Sequence, residues 1–202
     1  MKKLLLTSTG FTNEKIGERF SSLINKRPDE IKVVFVPTAA REDIEWKYVE
    51  ESKQELIDIG ICVDNLNVLD LDRKYSYEDL ADYDAMYVCG GNTFYLLKKI
   101  KENGFDQVMK EFIKNDKVYV GVSAGSIIPG PDIGIAEPFD VNDVGLIDFS
   151  SLNIVDFVVS PHYVEEEKEI VDNFIKNVDY KVIPITDDQA VEVIDEQVLI
   201  IE

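Results

Sequence analysis

The chain has one histidine and two cysteines, and each scarcity removes a class of chemistry. A multi-histidine metal site is excluded, and neither Cys62 nor Cys89 belongs to a cysteine/histidine cluster with zinc-ligand spacing, so no metal is expected. Two cysteines build no disulfide framework; both lie in apolar segments and read as buried free thiols. No apolar run approaches the roughly 20 residues that span a bilayer. Met1-Lys2-Lys3 leads straight into a short strand rather than a signal-peptide core, which points to a cytoplasmic protein. Basic residues are outnumbered, 21 against 40 acidic, for a net charge of −19. Nucleic acid and anionic membranes rely on Lys/Arg patches, so neither is an expected partner. G-x-G-x-x-G and a Walker lysine are both missing, and no organic cofactor is expected.

What is present reads as one α/β domain over residues 1–202. Short apolar runs, Leu4–Leu6, Val33–Val36, Cys62–Leu69, Ala85–Cys89 and Val118–Val122, alternate with segments of helical spacing such as Ile16, Phe20, Leu23 and Ile24. That alternation argues for βαβ units and a mostly parallel, doubly wound sheet with helices on both faces. From Pro129 to Ser151 the pattern fails, and a connection of that length is expected to be functional or disordered. A strand over Val155–Val159, an amphipathic helix carrying Ile170, Val171, Phe174, Ile175 and Val178, and three short strands complete the chain.

The stretch that organises the rest is Gly121-Val122-Ser123-Ala124-Gly125. A buried strand enters this G-x-S-x-G pattern and a helix leaves it, the setting in which the central serine is held on a sharp, strained turn. Without that setting, Ser123 would read as an ordinary helix cap. Groups that work in parallel α/β sheets collect beyond the carboxyl ends of the strands. Ser123, Gly90-Gly91-Asn92-Thr93, His162 and Thr186-Asp187-Asp188 all follow predicted strands and are expected at one sheet edge. If an imidazole activates Ser123 it is His162, there being no other. A carboxylate would fix its tautomer. Asp187, Asp188, Glu137, Asp140 and Asp132 are candidates, with Asp187 preferred because it follows a short buried strand. The backbone N–H groups of Gly91 and Ala124 are candidates for an oxyanion hole, and Asn92 and Thr93 for substrate contacts.

Taken together, Phe35-Val36-Pro37-Thr38-Ala39, Gly90-Gly91-Asn92-Thr93-Phe94, Gly121 to Gly125 and Ser160-Pro161-His162-Tyr163 resemble the S51 peptidase family of α-aspartyl dipeptidases (peptidase E) and cyanophycinases. The resemblance implies a fold like that of the class I glutamine amidotransferases (flavodoxin-like), with Ser123 as nucleophile and His162 as base. It implies a triad in the chain order Ser, His, acid, with Asp187 where the dipeptidases carry glutamate. It also implies an acidic residue in the loop after the nucleophile, for which Glu137 and Asp140 are both open. The dipeptidases place a basic specificity residue at the start of the helix after the histidine; here the chain reads Glu165-Glu166-Glu167-Lys168, leaving Arg41 or Lys168 to meet a substrate carboxylate. The expectation is a serine peptidase that takes a small peptide, not strictly of Asp-X type, as a monomer or homodimer. The alternatives are a non-catalytic binding or regulatory homologue and a cyanophycinase-like β-aspartyl peptidase.

Overall fold

The apolar runs become strands in the computed structural model, which describes residues 1–202. β1 (Lys3–Thr7), β2 (Val33–Val36), β3 (Leu66–Val68), β4 (Ala85–Val88) and β5 (Val118–Val122) pair in parallel. β8 (Ala190–Ile194) and β9 (Gln197–Ile201) extend the sheet by antiparallel pairing, and the strand order is β3-β2-β4-β5-β1-β8-β9. Side chains alternate along each strand, so both faces need cover. Leu4, Leu6, Val34, Val36 and Met86 enter one core with residues of α3 (Thr93–Asn103) and α4 (Phe105–Lys114). Leu5, Val33, Phe35, Tyr87 and Val120 enter the other with residues of α1 (Glu14–Ile24) and α2 (Asp43–Asp58). Each large side chain buried this way, Phe20 or Phe112 for instance, contributes about 1.5–3 kcal/mol.

Helix limits follow local chemistry. Asn13 accepts from the Lys15 N–H at the start of α1, Glu42 and Glu45 form a reciprocal capping box on α2, and Asn92 accepts from the Tyr95 N–H on α3. Gly104, at φ +67°, both ends α3 and opens α4. No helix is long and apolar enough to cross a membrane.

Three expectations change. β6 (Phe157–Ser160) and β7 (Lys181–Pro184) pair with each other in parallel and form a separate two-stranded sheet instead of joining the main one. The helix between them, α6 (Lys168–Ile175), buries only Val171 completely, and Ile170 and Ile175 stay exposed. The Cys62 thiol is exposed rather than buried, because Val63–Asn65 forms a tight turn leading to the short edge strand β3; Cys89 is buried as expected. Between Pro129 and Ser151 regular structure is limited to one tight turn, Gly134–Ala136, and a bridge from Asp132 to Ser150.

Register fixes what meets at the edge. Thr7 lies level with Val122, and Leu6 and Val88 both lie level with Gly121, so the residues following β1, β4 and β5 emerge side by side.

Candidate active site

β5 runs into a four-residue helix, α5 (Ala124–Ile127), through Ser123 at φ 48°, ψ −110°. A non-glycine residue there carries strain of about 1–3 kcal/mol and persists only where its surroundings over-determine it. They do: the Ser123 N–H donates to Thr7 O at 3.1 Å, Ser126 Oγ to Thr7 O at 2.7 Å, and Tyr119 Oη to Gly125 O at 2.6 Å. The flanking glycines are compulsory on steric grounds. A Cβ on Gly121 would stand 2.2 Å from Gly125 O, and one on Gly125 2.2 Å from Val88 O.

His162 follows β6 with φ 58°, a second strained non-glycine residue. Its Nε2 lies 3.0 Å from Ser123 Oγ and its Nδ1 2.7 Å from Asp187 Oδ1, in the loop after β7. A carboxylate beside Nδ1 assigns the proton to that nitrogen and leaves the Nε2 lone pair facing the serine hydroxyl. The arrangement can therefore pass a proton from Ser123 to His162 while Asp187 holds the ring. It is open to solvent, the His162 and Asp187 side chains being 48% and 65% exposed. Two of the other carboxylates considered are engaged elsewhere. Asp188 accepts from Thr186 Oγ1, and Asp132 takes the Gly134 N–H and Tyr180 hydroxyl.

Ser8 was not anticipated. Fully buried just beyond β1, it accepts the His162 backbone N–H at 2.8 Å and donates to Asp187 Oδ1 at 2.8 Å, bridging the two residues. Its sequence signal was its place after a strand, shared with every other site residue. Thr9 Oγ1 adds a bond to Asp187 O at 2.6 Å, and Asn13 Nδ2 one to Asp188 O at 2.9 Å, so the β1 loop anchors the acid's loop.

These groups open onto a cavity of about 560 Å³. Gly91, at φ 133°, lines it, and its N–H makes no hydrogen bond within the chain; Ala124 is the first residue of α5, where N–H groups lack an intrahelical partner. Asp140 also lines the cavity and accepts the Thr93 N–H at 2.8 Å, whereas Glu137 is exposed and lies outside it. Asn92 and Thr93 sit behind the wall, Asn92 tied to Val141 O and Thr93 buried. Neither cation considered for a substrate carboxylate reaches the cavity. Arg41 makes a two-pronged bond to Asp143, and Lys168 pairs with Glu165. The cavity is instead acidic, with Glu45, Glu51 and Glu55 contributed by α2, another feature the sequence did not single out. Burial pushes the Glu55 carboxyl above its usual value and the Cys89 thiol well above its own. No group of three or more His, Cys, Asp or Glu side chains is disposed to hold a metal ion.

The family model of peptidase family S51 matches residues 4–201. The chain belongs to that family. Among its relatives, an uncharacterized peptidase of Pasteurella multocida is 31% identical over 99% of this chain and 97% of its own length. A peptidase E of Nostoc is 26% identical over 100% and 86%. A crystal structure from Listeria monocytogenes EGD-e, provisionally assigned as a peptidase E protein, superposes with a TM-score of 0.81 at 31% identity, covering 99% of this chain and 98% of that one. A peptidase from an acI-B1 actinobacterium, at 17% identity and a TM-score of 0.71 over 96% and 83%, shares the fold. The chain is thus an S51 peptidase with the mostly parallel, flavodoxin-like α/β fold of that family.

Proposed function

We propose that this S51 peptidase is serine-type and hydrolyses a small peptide through Ser123, His162 and Asp187. The observation that carries the reading is the unbroken line from Ser123 Oγ through the imidazole to Asp187, with contacts of 3.0 and 2.7 Å. Ser123 attacks the scissile carbonyl as Nε2 of His162 takes its proton. The imidazolium returns that proton to the leaving amine, and water then releases the acyl group by the same path in reverse. Asp187 holds the ring through Nδ1, and Ser8 positions Asp187. The N–H groups of Gly91 and Ala124 meet the negative charge that develops on the carbonyl oxygen, and such a donor is worth about 10²–10³ in rate.

Strict Asp-X specificity is not part of this reading, because carboxylates rather than cations line the cavity and would repel an aspartyl side chain. A fluorophosphonate probe should label the wild-type protein, and Ser123→Ala should abolish labelling while leaving the thermal midpoint within about 2 °C. Equal labelling of the two proteins would remove Ser123 from the mechanism.

A further inference from the structure

One end of the cavity has an apolar rim. Tyr48 of α2 lines the cavity and is 57% exposed. Ile44, four residues earlier and so on the same face of the helix, is 52% exposed, and Val141, next to the cavity residue Asp140, is 74% exposed. Two sets of bonds bring these segments together. The Arg41 N–H donates to Glu45 of α2 while its guanidinium holds Asp143 by two prongs, which ties the start of the helix to the segment that carries Val141. Asn92 Nδ2 donates to Val141 O at 2.8 Å, and the Asn92 backbone N–H donates to Ala39 O at 3.0 Å. Ala39 O is also the atom that a Cβ on Gly91 would meet at 2.2 Å, so the rim begins beside the N–H proposed to face the oxyanion.

The polar groups at that end are already satisfied. Glu45 accepts the Arg41 and Glu42 N–H groups at 2.6 and 2.7 Å, and Asp140 accepts the Thr93 N–H at 2.8 Å. The Arg41 guanidinium lies over the Tyr95 ring, 4.7 Å from its centroid, besides holding Asp143. What remains uncovered there is hydrocarbon, and hydrocarbon gains from leaving water. Singly exposed apolar side chains are ordinary, but three gathered at the mouth of a catalytic cavity mark a ligand-binding surface. An aromatic ring suits that role, because it offers a broad apolar face and has little side-chain entropy to lose. A cavity of about 560 Å³ leaves room for a large side chain beside the peptide backbone.

We propose that Tyr48, with Ile44 and Val141, forms an apolar subsite at the mouth of the cavity, so that the protein selects short peptides carrying a large apolar side chain next to the cleaved bond. The inference rests on the serine-peptidase reading above and adds a specificity residue to it. The side chain can belong to the residue on either side of that bond, and the test separates the two.

Calorimetry on the Ser123→Ala protein, which is expected to bind without turnover, would compare alanyl-alanine with phenylalanyl-alanine, alanyl-phenylalanine and their glutamine counterparts, whose side chains are long but polar. At least one phenylalanine peptide should bind fivefold or more tightly than both alanyl-alanine and its glutamine counterpart, and the position that carries the gain identifies the side of the bond. In the same background Tyr48→Ala should bring that preference below twofold, and Tyr48→Phe, which keeps the ring, should retain it. A residue that only supported the fold would change all the affinities together and leave their ratio alone. A preference under fivefold, no binding by any peptide, a preference that stays above twofold in Tyr48→Ala, or one lost equally in Tyr48→Phe would each overturn the subsite. The peptide comparison itself uses the unaltered Tyr48, so it stands even if a variant fails to fold. Fluorophosphonate labelling of wild type reports separately on Ser123. Labelling without an apolar preference sinks the subsite alone, and a Tyr48-dependent preference without labelling sinks the nucleophile alone.

Discussion

Replacing Asp187 with asparagine tests how much work an exposed acid can do. In the native site Asp187 Oδ1 accepts from His162 Nδ1 at 2.7 Å and from Ser8 Oγ at 2.8 Å. With its amide oxygen in that place, asparagine keeps both bonds but loses the charge. Turned over, it donates to Nδ1, drives the ring proton to Nε2, and leaves His162 unable to take the proton of Ser123. A hydrogen bond to a charged group contributes about 1.5–3 kcal/mol. At 65% exposure of Asp187 and 48% of His162, solvent screening puts the loss at the lower end. About 1.5–2 kcal/mol corresponds to a fall of about 10–30-fold, far short of the roughly 10⁴ seen when a fully desolvated triad loses its acid. The assay is the second-order rate of fluorophosphonate labelling, followed in parallel by peptide hydrolysis. A fall of less than threefold would refute Asp187 as the group that orients His162. A fall near 10⁴ would refute the argument from exposure, and would mean that the loops close over the triad during reaction.

Ser8→Ala removes the bond to Asp187 and leaves the His162 N–H without its acceptor. It should cost about 1–3 kcal/mol in chemical denaturation and slow labelling of Ser123 about tenfold, whereas a serine that merely fills space would leave the labelling rate unchanged. Gly125→Ala drives a Cβ to within 2.2 Å of Val88 O, and circular dichroism should find no natively folded protein. Glu55→Gln should raise the thermal midpoint at neutral pH. Burial, with Glu51 and Asp58 nearby, lifts the folded-state pKa above 4.5, so the native state holds its proton longer than the unfolded chain and stability declines as pH rises through that interval. The advantage of the variant should be complete above the folded-state pKa and vanish below about pH 4.5; an advantage independent of pH would rule out the charge as its cause.

What could be read along the chain is what local chemistry determines. A strand buried on both faces must be a continuous apolar run, so β1, β2, β4 and β5 were visible at once, and the glycine-flanked turn announced Ser123 because every constraint on it lies within five residues. His162 was singled out because no other imidazole exists, and Asp187 because it follows a strand. Ser8 stayed hidden. Its role depends on the register that sets Thr7 level with Val122, and that is a pairing between segments more than a hundred residues apart. Glu55 stayed hidden for another reason: in a chain with 40 acidic residues, one more glutamate on an amphipathic helix reads as solvated surface until the face it occupies is known. The same abundance left Glu137 and Asp140 equivalent in sequence. Only the approach of their loop to the N-terminus of α3 brings Asp140 to the cavity and leaves Glu137 outside it.

The division of the chain into two sheets bears on how the site is held. Ser123 belongs to the seven-stranded sheet, whereas His162 and Asp187 follow the paired strands β6 and β7 of the smaller one. Histidine and acid are therefore carried by one pair of strands, and their mutual contact does not cross between the sheets. The 3.0 Å contact between Nε2 and Ser123 Oγ does cross from one sheet to the other. Ser8 lies on the far side of the same crossing, at the end of a central strand of the main sheet, and bonds to both members of the small-sheet pair. With Thr9 and Asn13 holding the loop of Asp187, the β1 loop helps set the distance between Ser123 and His162. The placing of Ser123 is thus a property of the strained turn, and its distance from His162 is a property of residues 8–13 as well.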